Sequence, residues 1–415
     1  MKKTAFFSTL LIFAMMLNLC GCSSQIKAQN LMLGIKANDV DMIDDLSDNS
    51  AKMTDFAIRL FKENEKQGEN VSISPLSVMC ALAMTANGAK GETLTQMEKV
   101  LGMPVGELNS YLHSFLASLT ESGENELRLA NSIWFTDDGR FTVNNDFLQL
   151  NADYYNADIY KAPFDNKTVK DINNWIDNKT NGMIPEMLDE LPKSAEMCLV
   201  NALCFDAEWE EKYDENQVKT DIFTKADGTK QEAEFMQSTE YLYLEDGNAT
   251  GFVKYYKGGD YAFVALLPNE DVSLLDYVAS LDGASLNKML SSTQRGISVN
   301  AQIPKFETES SIELDDVLCK MGMSNAFDEI MADFSGLGKS TCGNIIIDRV
   351  KHKTYILLDT NGTKAAAATT VIMKNTCAFD GEIKNVKLDR PFLYMLIDCK
   401  TNIPFFVGTV NDIKK

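Results

Sequence analysis

The chain has 415 residues, 45% of them hydrophobic, enough for one large domain or two ordinary ones with a sizeable core. Lysine and arginine total 39 against 60 acidic residues, and the net charge of −21 excludes a nucleic-acid or polyanion footprint. Of nine cysteines, Cys20 and Cys22 lie in the N-terminal segment and the other seven are odd in number and widely spaced, with no Cys-x-x-Cys pair, which signals neither a disulfide scaffold nor a zinc site.

Met1-Lys2-Lys3, an apolar run from Ala5 to Leu19 and then small residues read as a secretory signal, too short in its apolar core for a membrane span. Leu19-Cys20-Gly21-Cys22 resembles a bacterial lipobox, which makes residues 1–21 a lipoprotein signal peptide and Cys22 the lipidated first residue; an ordinary cleaved signal is the alternative. Residues 22–48 are polar and acidic with little periodicity, and are expected to form a flexible tether. These features predict an extracytoplasmic protein, lipid-anchored in a bacterial cell envelope.

The folded part starts near residue 49. Met53, Phe56, Ala57, Leu60 and Phe61 carry the spacing of an amphipathic helix. Ser74 with Pro75 predicts a second helix start, the serine capping and the proline at the first helical position, and Gly88 a stop. Thr93 with Gln96 reads as a capping box opening a third helix. Val169, Ile172, Trp175 and Ile176 predict another, ended by Asn181-Gly182.

Strand-like runs lie at residues 127–135, 198–205, 261–267, 297–306 and 354–359, and residues 392–398 and 404–410 read as a buried hairpin. This is mixed α+β organisation without a regular βαβ repeat. Between strand and hairpin lies Gly362-Thr363-Lys364-Ala365-Ala366-Ala367-Ala368-Thr369, followed by Thr370-Val371-Ile372-Met373. Four alanines favour helix, whereas four consecutive β-branched residues favour strand, so the run has mixed propensity. Thr363, Ala365, Ala367, Thr369, Val371 and Met373 fall on one parity, all small or apolar, and Lys364 and Lys374 fall on the other. As a strand it could bury one face without burying a charge.

That stretch resembles the proximal hinge of an inhibitory serpin. Residues 70–77, Gly88-Ala89-Lys90-Gly91, Leu199-Val200-Asn201-Ala202 with Trp209, Phe334-Ser335-Gly336, His352-Lys353-Thr354 and Arg390-Pro391-Phe392 match serpin motifs in the right order. The resemblance spans nearly all of 49–415. It implies the serpin fold: three β-sheets, about eight to nine helices, and an exposed reactive-centre loop at about 360–385.

The function so implied is irreversible, suicide-substrate inhibition of serine endopeptidases, with cysteine endopeptidases a further class. The acyl-enzyme would be trapped when the cleaved loop enters the central sheet as a strand of roughly 36 Å over residues 363–373, at ~3.3 Å per residue. The family places the hinge at Gly362, Thr363, Ala365, Ala366, Ala367 and Ala368. It places a shutter at Ser74, Ser77, Asn201 and His352, and the tryptophan under the loop's entry point at Trp209. Counting forward from Gly362 puts the reactive bond at Thr376-Cys377, suited to an elastase-like protease; Lys374 is an alternative scissile residue for a trypsin-like one. Two departures from the family pattern, Thr360 and Lys364 where acidic residues are usual, fall off the inward parity. The protein is expected to be monomeric, with no cofactor, metal or catalytic residue of its own. A non-inhibitory serpin serving as a binding or storage protein is the nearest alternative. A hydrolase fits poorly, since only His113 and His352 could serve a triad and no Gly-x-Ser-x-Gly elbow occurs.

Overall fold

A computed structural model describes residues 26–120, 125–192, 195–292, 296–341, 343–363 and 382–413. Its nine described α-helices are α1 (Ser47–Asn64), α2 (Pro75–Ala86), α3 (Gly91–Leu101), α4 (Val105–Thr120), α5 (Asn145–Tyr155), α6 (Asn166–Lys179), α7 (Leu274–Ser280), α8 (Gly283–Ser291) and α9 (Asp315–Met321). They surround three sheets and a two-stranded ribbon of β4 (Phe141–Val143) with β14 (Gly338–Ser340). The α+β class and three-sheet architecture expected from the sequence are what the chain adopts.

The central sheet has seven strands in the order β1-β5-β3-β6-β16-β15-β13. These are β1 (Gln29–Asn30), β5 (Asp158–Ala162), β3 (Glu126–Thr136), β6 (Met197–Glu208), β16 (Gly362–Thr363), β15 (Arg349–Leu358) and β13 (Phe306–Glu313). A six-stranded sheet packs behind it, ordered β2 (Val71–Ile73), β19 (Pro404–Val410), β18 (Phe392–Asp398), β11 (Tyr261–Pro268), β10 (Ala249–Tyr255) and β9 (Tyr243–Glu245). The third sheet is β17 (Glu382–Lys387), β12 (Ile297–Pro304), β8 (Lys230–Glu240) and β7 (Val218–Thr224). One large apolar cluster joins the first two sheets with α1 and α2; a smaller one, with Trp134, Trp175 and Tyr160, lies under α6 on the opposite face of the central sheet.

Local chemistry explains most element starts. The Ser74 hydroxyl accepts from the Ser77 amide and caps α2, with Pro75 at its first position. Asp165 and Thr168 form a capping box at α6, and left-handed Asn181 and Gly182 follow its end. The hairpin of β18 and β19 forms as expected.

Three expectations need correction. Helix α3 begins at Gly91, before Thr93, so Thr93 and Gln96 form no capping box: the Thr93 hydroxyl accepts from Asp333 N–H, and the Gln96 side-chain oxygen from Asn325 N–H. Long-range backbone donors claimed both side chains. The run at 297–306 is two strands, β12 and β13, which part at Lys305 and join different sheets. Residues 26–46 do not hang as a flexible tether. β1 pairs with the edge strand β5, the amides of Lys27 and Ala28 donate to the Asp171 carboxylate on α6, and Asn38 bonds Asp153. Polar composition hid this docking because backbone amides supply its hydrogen bonds.

Candidate functional site

Strands β6 and β15 run parallel, paired from Cys198 with Arg349 to Leu203 with Thr354. Beyond that point they part, and Gly362 and Thr363 occupy the opening, Thr363 opposite Ala207 on one side and Leu358 on the other. The side chain of Thr363 is 1% exposed and its hydroxyl bonds the Tyr256 hydroxyl, so it faces inward. Gly362 is required here sterically: a Cβ on it would overlap the Ala207 carbonyl oxygen.

The turn before the hinge is held from one side. Trp209 donates its indole N–H to the Asp359 carbonyl (2.9 Å) and its backbone N–H to the Asn361 carbonyl (2.8 Å), while the Tyr213 amide donates to the Thr360 carbonyl (3.1 Å). Asp359 closes the turn itself, its carboxylate accepting from the amides of Asn361 and Gly362. The Trp209 ring stacks on Tyr256 at 4.5 Å. Trp209 therefore sits beneath the point where the chain enters the sheet.

Halfway down the cleft, Ser74, Ser77, Asn201 and His352 converge. The Ser74 amide donates to His352 Nε2 (2.9 Å), His352 Nδ1 lies 2.7 Å from Asn201 Oδ1, and the Ser77 hydroxyl donates to that same oxygen (3.2 Å). Asn201 Nδ2 in turn donates to the Lys351 carbonyl, which fixes the amide's orientation. With a backbone N–H as donor, Nε2 can only accept, so the ring is the neutral tautomer protonated at Nδ1. Burial pushes its pKa down to about 3, consistent with that state. The cluster ties α2, β6 and β15 together, and an opening of β6 from β15 must rearrange it.

Sequence reasoning missed several neighbours. The Thr354 hydroxyl donates to the Ser72 carbonyl and the Ser72 hydroxyl lies 2.7 Å from it, with Ser310 on the Ser72 amide. Ser72 and Ser74 share a strand parity, a signal that was available. At the far end of the cleft, the Asp348 carboxylate accepts from the amides of Glu196 and Met197 at 2.5 and 3.2 Å, joining the starts of β15 and β6. Desolvation raises the pKa of Asp348 above the usual carboxylate value.

Residues Ala365, Ala366, Ala367, Ala368, Lys374, Thr376 and Cys377, and Cys22 at the other end of the chain, lie outside the described residues. Among the described residues no helix is long and apolar enough to cross a membrane, and no group of three or more His, Cys, Asp or Glu could hold a metal ion.

Comparison with known proteins agrees with this geometry. Residues 51–413 match the family described as Serpin (serine protease inhibitor). The crystal structure of the thermophilic serpin tengpin in its native state superposes with a TM-score of 0.89 at 46% identity, covering 93% of this chain and all of that one. Serpin B6 of Macaca fascicularis is 31% identical over 373 residues, 85% of this chain and 96% of that protein. Human thyroxine-binding globulin, solved with its ligand, aligns with a TM-score of 0.80 at 25% identity over 89% of this chain and all of that one. On the family match, the coverage and the shared fold, the chain belongs to the serpin family.

Proposed function

We propose that this protein is an irreversible suicide-substrate inhibitor of serine endopeptidases. The observation that carries the reading is the seat of Thr363 between β6 and β15. Continuing that antiparallel register by ten residues would set Met373 opposite Met197 on one side and Asp348 on the other, one step past Cys198 and Arg349, where the pairing of β6 with β15 ends. Residues 363–373 thus have a track of matching length. Thr363, Ala365, Ala367, Thr369, Val371 and Met373 would take the buried parity that Thr363 already occupies, and Lys364 the other.

In this reading the protease serine attacks the Thr376 carbonyl, the peptide nitrogen of Cys377 leaves, and an ester joins protease to loop. Freed at that end, the loop adds to the central sheet and carries the protease away before water cleaves the ester. Roughly ten new backbone hydrogen bonds at a net ~0.5–1.5 kcal/mol each give on the order of 10 kcal/mol, comparable with the stability of a whole domain. The intact form is then metastable, held by a kinetic barrier. Thr376 suits an elastase-like protease and Lys374 a trypsin-like one.

We further assign the inhibitor to the cell envelope, attached through Cys22. Lipid at about 0.8 kcal/mol per buried methylene is ample for stable attachment when more than one chain is present. The docked segment 26–46 would keep the domain close to the surface that carries it.

Mixing the protein with an elastase-like and a trypsin-like protease should give an adduct that survives boiling in detergent. Cleavage with turnover and no adduct would make the chain a substrate or a non-inhibitory serpin. Globomycin-sensitive processing and labelling by a radioactive fatty acid, lost in Cys22→Ser, test the anchor; unlabelled protein would remove it.

A further inference from the structure

Lysine 254, on β10, is 3% exposed, a rare burial for a lysine. Its ammonium donates to the Glu240 carboxylate (3.0 Å), itself 12% exposed, and to the Glu211 carbonyl (3.3 Å). It also stands over two rings, 4.6 Å from the Tyr213 centroid and 5.3 Å from that of Trp209. The Glu240 oxygen further accepts from Ser238, whose hydroxyl is 3.2 Å from that of Tyr213. One ammonium thus joins the segment after β6 to the end of β8 and to β10.

Packing alone does not call for this. An aliphatic side chain of the same length would fill the space without the desolvation penalty of a buried ion pair, and such replacements are often neutral or stabilising. The charge does what a methyl group cannot: it draws two aromatic faces and a carbonyl toward one point. Those groups belong to Trp209, Glu211 and Tyr213, and the first and last of them make all three of the bonds that hold the carbonyls of Asp359, Thr360 and Asn361.

We propose that Lys254 is a positioning residue for the loop hinge: with Glu240 it clamps Trp209 and Tyr213 so that the turn at 359–362 keeps Thr363 seated as the first residue of the future strand. It acts through Trp209 and Tyr213 rather than on the protease. Its consequence for inhibition rests on the insertion reading above; the seating does not.

Hydrogen exchange of the full-length protein, followed by mass spectrometry, reads the seating directly. Lys254→Met should speed exchange of the Gly362 and Thr363 amides about tenfold while leaving the paired core of β6 and β15 unchanged, and Lys254→Arg should restore most of the protection. Lys254→Met with Glu240→Leu removes the orphaned carboxylate, and hinge exchange should stay fast. Protection returning to the wild-type level in that double variant would assign the effect to the stranded charge and overturn the clamp. Where Lys254→Met fails to accumulate, Glu240→Gln should give a smaller change of the same sign; unchanged hinge exchange there would equally overturn it.

The second readout is partition. If wild type forms the covalent adduct, Lys254→Met should consume more inhibitor per protease trapped at an unchanged rate of loop attack. An unchanged partition with a slower attack would mean a role in loop recognition and would count against the clamp. If wild type forms no adduct, the inhibitory reading falls and hinge exchange still decides the role of Lys254.

Discussion

His352 Nδ1 and Asn201 Oδ1 lie 2.7 Å apart, and this one bond commits the imidazole to a single protonation state, because Nε2 is already occupied as an acceptor for Ser74 N–H. A second proton would set two N–H groups against each other at the centre of the cleft. The folded pKa, down at about 3, lies below the ~6.5 of an unfolded histidine. The neutral ring's contribution is therefore complete above about pH 6.5 and is lost as pH falls toward 3, because only the unfolded chain binds the proton in that window. Relative to His352→Gln, wild type should lose on the order of 2 kcal/mol between pH 7 and pH 5. Urea midpoints of the two proteins at both pH values check this. The comparison with the variant matters, because Asp348 and Asp398 have raised pKa values and act with the opposite sign. A difference independent of pH would mean that the ring is not held neutral.

Gly362→Ala should unseat the hinge. The added methyl overlaps the Ala207 carbonyl, and backbone cannot swing aside as a side-chain end can. Such overpacking costs about 1–3 kcal/mol, enough to offset one or two of the hydrogen bonds that seat Gly362 and Thr363 between β6 and β15. Limited proteolysis should find the bonds near Thr363 cut faster in the variant, with the overall melting point little changed. Equal cutting rates would show that the strand admits a Cβ.

Much of this architecture was legible in the sequence, and particular residues show why. Ser74-Pro75 marked its helix start because cap and proline act locally. β11 and the hairpin of β18 with β19 were visible as continuous apolar runs, being buried on both faces. β15 was seen only in its last part. Its first half alternates buried Val350, His352 and Thr354 with Arg349, Lys351 and Lys353, and the charges masked a period of two that pairs Lys351 and Lys353 with Glu313 and Glu309 of β13. Ser74 and Ser77 lie far in the chain from Asn201 and from His352, and only the family resemblance joined the four. Lys254 and Asp348 carried no local signal, because a buried charge is intelligible only through partners brought from other strands.

Thr363→Arg should leave recognition intact and abolish trapping. The native side chain is 1% exposed against Tyr256, and a guanidinium there would have to be buried beside the apolar neighbours Ala207 and Leu358, at a cost of several kcal/mol. A loop that hesitates is hydrolysed. The variant should be cut at the wild-type rate with turnover and no detergent-stable adduct. Thr363→Val keeps the shape, loses one hydrogen bond and should retain most of the adduct. Full trapping by the arginine variant would place this parity on the outer face.

The Asp348 bridge to Glu196 and Met197 closes the end of the cleft, at the position that the eleventh inserted residue would reach. A strand cannot come to lie between β6 and β15 while one carboxylate spans them at 2.5 and 3.2 Å, since adjacent strands are ~4.8 Å apart. On the insertion reading, breaking the bridge would be part of the barrier that keeps the uncut protein as it is. Asp348→Ala should lower that barrier, so that a synthetic peptide with the sequence of residues 363–373 anneals into the uncut protein several-fold faster. The same substitution should matter little once the strand is in place. Protein nicked within the loop should melt well above the intact form whether residue 348 is Asp or Ala, by an amount corresponding to roughly 10 kcal/mol of added strand. Two calorimetric scans of each variant, intact and nicked, separate barrier from end state. Melting points that coincide before and after nicking would mean that no strand had been added.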